Sequence, residues 1–383
     1  MDRTFILTFT NHIRYEIKRC THIFDVSNPD LRDCIITKRV FCLLDNGVEH
    51  HTGALDRYFQ VNNIEAHYYY LTPSEEKKNL ESIREFASFC FDQKISRLDS
   101  IIGFGGGIIC DLAGLSANLI RRGTPCIKIP TTLLGIIDAS IGVKTGINYH
   151  QCKNSLGTYS PPKAVLIDLI FLKSLAEKEI KNGLVEMIKI ISLKDKMVWL
   201  LLKESLEQIL LKDLNEQVID LIDNSISFMI EELSSNLFEN DLNRIVDFGH
   251  EFGHLIETIS NYKLSHGQAV GIGMMMSNII ALNKGLMICE DFEDFKAVFL
   301  NVKFPCWHES LSAEKLYAKI DSITRHKGDV FSIVALKEIG HPIFIHDIAF
   351  ADLKTVEDIL IDMQAKSVTY HDTSITETLL NRI

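Results

Sequence analysis

The stretch "LDSIIGFGGGIICDLAGLSANLIRRGTPCIKIP", residues 98–130, decides the fold. A short apolar run reaches a cluster of glycines (Gly103, Gly105, Gly106, Gly107). A helical pattern follows over 108–122, and "CIKIP" supplies a second β-rich run. Strand, glycine turn, helix and strand in that order predict a parallel crossover. Glycines at such a turn let backbone N–H groups approach a phosphate, and the helix N-terminus favours its charge. The pattern is not G-x-G-x-x-G, because Ile108 holds the third required position. The turn by itself therefore leaves a tight strand-to-helix bend as the alternative.

Outward from this unit, "RVFCLLD" (39–45) and "AHYYYL" (66–71) read as strands, and 75–91 reads as an amphipathic helix. The alternation predicts a mostly parallel sheet covered by helices. Beyond it, long helical patterns dominate at 177–211, 215–235, 248–260 and 266–285. The expected organisation is an α/β, Rossmann-like nucleotide-binding domain over residues 1–170 and a mainly α-helical domain over 171–383.

A chain of 383 residues is long enough for two domains with substantial cores. Its formal net charge of −11, with no run of basic residues, excludes nucleic acid and anionic membranes as expected partners. Nine cysteines at irregular spacing, without a C-x-x-C pair, suggest reduced thiols and a cytoplasmic setting. The N-terminal stretch mixes charges throughout and has no signal-peptide core. "AVGIGMMMSNIIAL", the most apolar stretch, is too short to span a bilayer.

Two segments carry candidate chemistry. Within 121–168, Asp138, Lys144, Asn148, Lys153 and Asn154 fall in short glycine-punctuated stretches expected to be loops. Cations spaced this way suit a phosphorylated, hydroxyl-rich ligand, and a solvated surface loop is the plain alternative. "DFGHEFGHLIE" (247–257) contains His250-Glu251-Phe252-Gly253-His254, a match to the zinc-protease pattern H-E-x-x-H. The further histidine and glycine that pattern wants are replaced by Ser260 and Glu257. A different trio fits a catalytic metal: Glu186 in "NGLVEMIK", His250, and His266 in "LSHGQAV", one carboxylate and two imidazoles.

Taken together, "GFGGGIICDLAGLSA", "RRGTPCIKIPTTLLGIIDASIGVKTGIN", "KNSLGTYSPPKAVLID", "NGLVEMIK", "DFGHEFGHLIE" and "HGQAVGIGM" resemble the sugar-phosphate cyclases, the superfamily of 3-dehydroquinate synthase. The likeness runs in order over roughly residues 100–280, and "PSEEKKNL" (73–80) extends it. The family usually has threonine at Glu251, so the protease reading is rejected. "NPDL", "RRGTP", "GVKTGIN" and "EELSSNLFENDLNRIVDFGH" look like the enzymes that cyclise sedoheptulose 7-phosphate. Dehydroquinate synthases usually carry a carboxylate-binding arginine where this chain has Asn243, and an amide is a poor replacement for that bidentate contact. His254 and Gly273 cut the other way. Many 2-epi-5-epi-valiolone synthases have proline and aspartate there; histidine and glycine look like dehydroquinate synthase or like the cyclases that form 2-epi-valiolone, and the 2-epi-valiolone type is the expected product. Gln268 stands where the family usually has glutamate.

The resemblance implies a phosphate-eliminating lyase acting on a phosphorylated ketose. It would use NAD, regenerated in each turnover, and one divalent metal, zinc or cobalt. Hydride leaves a ring carbinol, phosphate is eliminated, hydride returns, and the opened ring closes by an aldol. Glu186, His250 and His266 would hold the metal. Lys144, Lys153 and Asn154, joined by Lys189, would bind phosphate or hydroxyls, Asp138 would accept a hydroxyl hydrogen bond, and His254 would relay protons. Asp45, Glu75, Lys78, Gly105, Gly106, Gly107, Asp111, Thr131 and Thr132 would hold NAD. Arg122 stands where the family can send an arginine into a partner's active site, which implies a homodimer.

Overall fold

The computed structural model describes residues 4–8, 12–150, 152–327 and 331–380, with side chains left undescribed at 322–327 and 367–380. The chain forms two compact units, Met1–Ser174 and Leu175–Ile383.

The first unit contains, in order, β1 (Glu16–Cys20), α1 (Asp30–Cys34), β2 (Arg39–Asp45), α2 (Glu49–Val61), β3 (Glu65–Leu71), α3 (Leu80–Asp92), β4 (Ser100–Gly105) and α4 (Gly107–Leu119). Then come β5 (Cys126–Pro130), β6 (Lys144–Tyr149), β7 (Cys152–Tyr159) and β8 (Ala164–Asp168). Six strands pair in the order β1-β8-β5-β4-β2-β3, every pair parallel. Burial on both faces explains why β4 and β8 read as near-continuous apolar runs, and β5 buries Lys128 among its apolar residues. Successive residues of β2 feed opposite cores: Val40, Cys42 and Leu44 pack in one, Phe41 and Leu43 in the other.

The glycines of the opening stretch are fixed by close approach, and none of Gly103, Gly105, Gly106 or Gly107 has a positive φ. A Cβ on Gly103 would lie 2.6 Å from the Ala113 methyl. One on Gly105 would lie 2.8 Å from the Asp45 Cβ. Helix α4 thus seats directly on β4, with its first turn free of acidic residues.

Two expectations in this unit need correction. The helix expected at 75–91 begins only at Leu80, because Asn79 is extended (φ −140°, ψ 173°) and its side chain caps Ser82 N–H. Residues 75–79 are consequently loop, and the loop carries Glu75 and Lys78. Lys144, Asn148, Lys153 and Asn154 are not in loops but on an antiparallel hairpin, β6–β7. Asp138 lies in a single π turn, Gly135–Ala139.

The second unit contains α5 (Glu177–Lys194), α6 (Lys196–Leu210), α7 (Glu216–Ser235), α8 (His250–Ile259), α9 (His266–Asn283), α10 (Cys289–Val302) and α11 (Ala313–Lys327). A hairpin of β9 (Ile333–Glu338) and β10 (His341–Ile345) follows, then α12 (Phe350–Leu380). The pattern at 177–211 is two helices. Asp195 is extended and its carboxylate caps Met197 and Val198, starting α6 afresh. The β9–β10 hairpin had no counterpart in the sequence reading. Helix α9 is apolar all round because it is buried nearly throughout. No described helix is long and apolar enough to cross a membrane.

Candidate active site

Three helices of the second unit bring Glu186, His250 and His266 together, with ligand atoms within 4.8 Å of one another. Small residues permit this. Gly249 precedes α8 with φ +80°, and a Cβ there would lie 2.6 Å from the Val270 carbonyl oxygen. A Cβ on Gly273 would lie 2.1 Å from the Gly249 carbonyl oxygen, so α8 and α9 meet backbone to backbone. Gly273, read from sequence as a mark of product type, has this packing reason. On the other side Gly267 abuts Asn182 of α5, and Ser265 Oγ donates to Asn182 Oδ1 at 2.7 Å. Gln268 completes a capping box at the same helix start, its Oε1 accepting from Ser265 N–H. An amide performs that role as well as a carboxylate.

Glu186 is fully buried, and its Oε1 has no hydrogen-bond partner. His250 Nε2 stands 3.7 Å and His266 Nε2 3.5 Å from that oxygen. Lys189, one turn along α5, places Nζ 2.5 Å from Glu186 Oε2. Burial alone would raise the Glu186 carboxyl, but the Lys189 ammonium and the two imidazoles outweigh it and hold the group well below the usual carboxylate range. Burial and the same ammonium push His250 well below the usual imidazole value, so it is neutral. An ionised carboxylate with an orphaned oxygen and a neutral imidazole are the states in which these residues ligate a divalent cation.

Glu257, named at first only as a departure from the protease pattern, completes this cluster. It is buried, and its two oxygens bond separately to His266 Nδ1 (3.2 Å) and His254 Nδ1 (3.3 Å). A carboxylate on Nδ1 directs the opposite nitrogen, Nε2, of each ring outward. Its signal was available in sequence: Glu257 lies seven residues after His250, two turns along the same helix face. His254 itself is exposed, and its ring lies 5.5 Å from that of His250. Glu251 turns to another task. Its Oε1 accepts from Val334 N–H on β9, and its Oε2 is buried without a partner. Burial raises its carboxyl to about 8. H-E-x-x-H is therefore not a zinc-protease arrangement here: one histidine lies outside the three-residue cluster and the glutamate is engaged with a strand.

In the first unit, Asp45, at the end of β2, flanks Gly105 and accepts from Gly47 N–H at 2.7 Å. Thr131 N–H donates to the Gly105 carbonyl, and Thr132 Oγ1 accepts from Gly135 N–H. Lys78 is buried, with Nζ 2.6 Å from Asp111 Oδ2 and donating to Asn154 Oδ1 at 2.6 Å. Lys153 Nζ lies 3.7 Å from Glu75 Oε1. Lys144 is exposed at the start of β6, and Asp138 is half-buried. Arg121 and Arg122 both have left-handed φ (54° and 60°) in the turn after α4, and the Arg121 guanidinium covers the Phe91 ring.

Asn243 precedes Arg244, whose guanidinium is held by two carboxylates. Nε donates to Asp247 Oδ2 at 3.0 Å, Nη2 to Asp247 Oδ1, and Nη1 to Glu239. The arginine beside the vacated position is already neutralised.

Family models for the 3-dehydroquinate synthase N-terminal and C-terminal regions match residues 68–182 and 183–325. The chain belongs to the 3-dehydroquinate synthase family and is a sugar-phosphate cyclase. A 2-epi-5-epi-valiolone synthase of an Actinomyces species is 34% identical over 365 residues, covering 92% of this chain and 96% of that protein. A 3-dehydroquinate synthase of Campylobacter jejuni subsp. doylei is also 34% identical, over 73% of this chain and 81% of its own. Among solved structures, the 2-epi-5-epi-valiolone synthase of Streptomyces hygroscopicus subsp. jinggangensis, with NAD+ and Zn2+ bound, superposes with a TM-score of 0.89. It is 28% identical and covers 94% of this chain and 100% of its own. A 2-deoxy-scyllo-inosose synthase complexed with carbaglucose-6-phosphate, NAD+ and Co2+ shares the fold at a TM-score of 0.75 and 20% identity. That match covers 89% of this chain and 96% of the other.

Proposed function

We propose that the protein converts sedoheptulose 7-phosphate to a C7 cyclitol of the valiolone type and releases phosphate, using NAD and one divalent cation. The observation that carries the substrate reading is the pair Asn243–Arg244. A carboxylated sugar phosphate needs a free guanidinium, and Asp247 and Glu239 already occupy the one beside Asn243. The relatives named 2-epi-5-epi-valiolone synthase support that product over the 2-epi-valiolone type expected from His254 and Gly273. Gly273 is required by helix packing, so it does not speak for stereochemistry.

Glu186, His250 and His266 fit a zinc or cobalt ion, and the glycine turn with Asp45, Glu75, Lys78, Asp111, Thr131 and Thr132 would hold NAD. When bound, the cation supplies Lewis-acid polarisation and NAD a reversible hydride acceptor. The chain's own groups do the rest. Lys144, Lys153 and Asn154 bind the phosphate and adjacent hydroxyls, and Asp138 accepts a hydroxyl hydrogen bond. Lys189 keeps Glu186 ionised. His254, with Nδ1 on Glu257, is free at Nε2 to take and return a proton. Arg122 would serve the partner of a homodimer. Nine free thiols suit the reducing cytoplasm.

Phosphate release from sedoheptulose 7-phosphate, 3-deoxy-arabino-heptulosonate 7-phosphate and glucose 6-phosphate tests the proposal, with the first expected to dominate. Preference for the carboxylated sugar makes the protein a dehydroquinate synthase, and preference for glucose 6-phosphate a 2-deoxy-scyllo-inosose synthase. NAD binding with no release from any of the three identifies a regulatory homologue.

A further inference from the structure

The groups assigned above to cofactor and to sugar phosphate in the first unit are hydrogen-bonded to one another, and Asn148 makes the join. It sits on β6 where the pairing with β7 slips between Ile147 and Tyr149. At that irregularity its backbone N–H leaves the hairpin and donates to the Lys78 carbonyl at 2.7 Å. Its side-chain Nδ2 donates to Glu75 twice, at the backbone oxygen (3.0 Å) and at Oε2 (2.9 Å). Its Oδ1 accepts from Asn154 N–H at 2.9 Å. Asn154 has φ +50°, the left-handed region that asparagine adopts more readily than most non-glycine residues. Asn154 Oδ1 is in turn the acceptor for Lys78 Nζ. The amide of Asn148 thus sets both the Glu75 carboxylate and the backbone of Asn154.

We propose that Asn148 is a positioning residue that couples the NAD side to the phosphate side, so that each ligand binds more tightly when the other is present. The proposal rests on the assignment of Glu75 to cofactor and of Lys153 and Asn154 to phosphate. Its physical basis is shared ordering: fixing Glu75 from one side fixes Asn154 through one amide, and the second ligand meets a network already set. Coupling of this kind is worth roughly 5–150-fold in affinity.

The test measures NAD affinity of the metal-loaded protein by calorimetry, without and with saturating inorganic phosphate, which is not turned over. In the parent, NAD binds about 5-fold or more tighter with phosphate present. Asn148→Asp keeps the acceptor for Asn154 N–H but sets a carboxylate against Glu75, and Asn148→Ala removes both contacts. In both variants the ratio of the two NAD affinities falls toward 1, short of it by what the direct Lys78–Asn154 and Lys153–Glu75 links still carry. The ratio is taken within each variant, so a general loss of affinity does not move it, and the Asp variant serves if the Ala variant fails to fold. A parent ratio of 1, or an unchanged ratio in a folded variant, overturns the proposal. Failure of the substrate reading is distinguishable, because it is read from the sugar used in turnover and leaves this ratio untouched.

Discussion

The two regions that carry the candidate chemistry are built in opposite ways. The Glu186–His250–His266 cluster sits on three helices brought together by glycines, and its central carboxylate is fully buried. The polar set of the first unit sits on a hairpin whose strands are half-exposed, its polar groups tied to one another by amide and ammonium hydrogen bonds while Thr145 and Ile147 anchor it in the core. Burial does useful work in the first case: it keeps His250 neutral, while Lys189 offsets the cost to Glu186. A group that must grip phosphate gains from retaining its charge in water's reach, so the hairpin relies on side-chain links to fix geometry. Helix packing therefore specifies one site, and a hydrogen-bonded network the other.

The sharpest way to break this contrast is to insert a side chain where α8 and α9 meet. Gly273→Ala places a methyl 2.1 Å from the Gly249 carbonyl oxygen, and backbone cannot yield as a flexible side chain would. We expect a loss of about 3 kcal/mol by denaturant titration, together with loss of bound metal. Stability within 0.5 kcal/mol of the parent would mean that packing does not hold the cluster.

A smaller effect is expected at Glu257, where the helical site also uses hydrogen bonds to its histidines. Glu257→Gln keeps the shape but removes the charge that orients His266 and His254. Metal affinity, measured by competition with a chelator, should weaken by about 10–100-fold while the helical content is retained. Unchanged affinity would assign Glu257 to packing alone.

A third effect concerns pH. Burial raises Glu251 to about 8, so between its ordinary value and about pH 8 the folded chain binds a proton that the unfolded chain has lost. Its contribution to stability is complete at acid pH and is lost as pH rises through that window, with a slope of up to about 1.4 kcal/mol per pH unit. Glu251→Gln should flatten this slope in melts taken from pH 5 to pH 8. A slope equal to the parent's would place the titration on another group.

Much of the molecule could be read from residue order alone. The glycine cluster at 103–107 and the alternating runs around it required a parallel sheet, since only burial on both faces makes "SIIGFG" and "AVLID" apolar without alternation. Glu186, His250 and His266 were legible because a catalytic metal demands a particular donor set, one carboxylate and two imidazoles. Lys189 followed from helical spacing. Other boundaries were set by single capping residues inside longer helical patterns. The split of 177–211 at Asp195 depends on one carboxylate capping the next helix, and the start of α3 at Leu80 depends on Asn79. What Gly273 and Glu251 do was decided only in the folded chain, because each acts on a partner its neighbours in sequence do not reveal: the Gly249 carbonyl and the Val334 N–H. Sequence by itself determined the class of fold and the donor types, since periodicity and side-chain chemistry are local properties. Tertiary structure decided which oxygens and nitrogens meet. Those distances come from backbones approaching across long stretches of chain, as at Asn148 and Glu75, 73 residues apart.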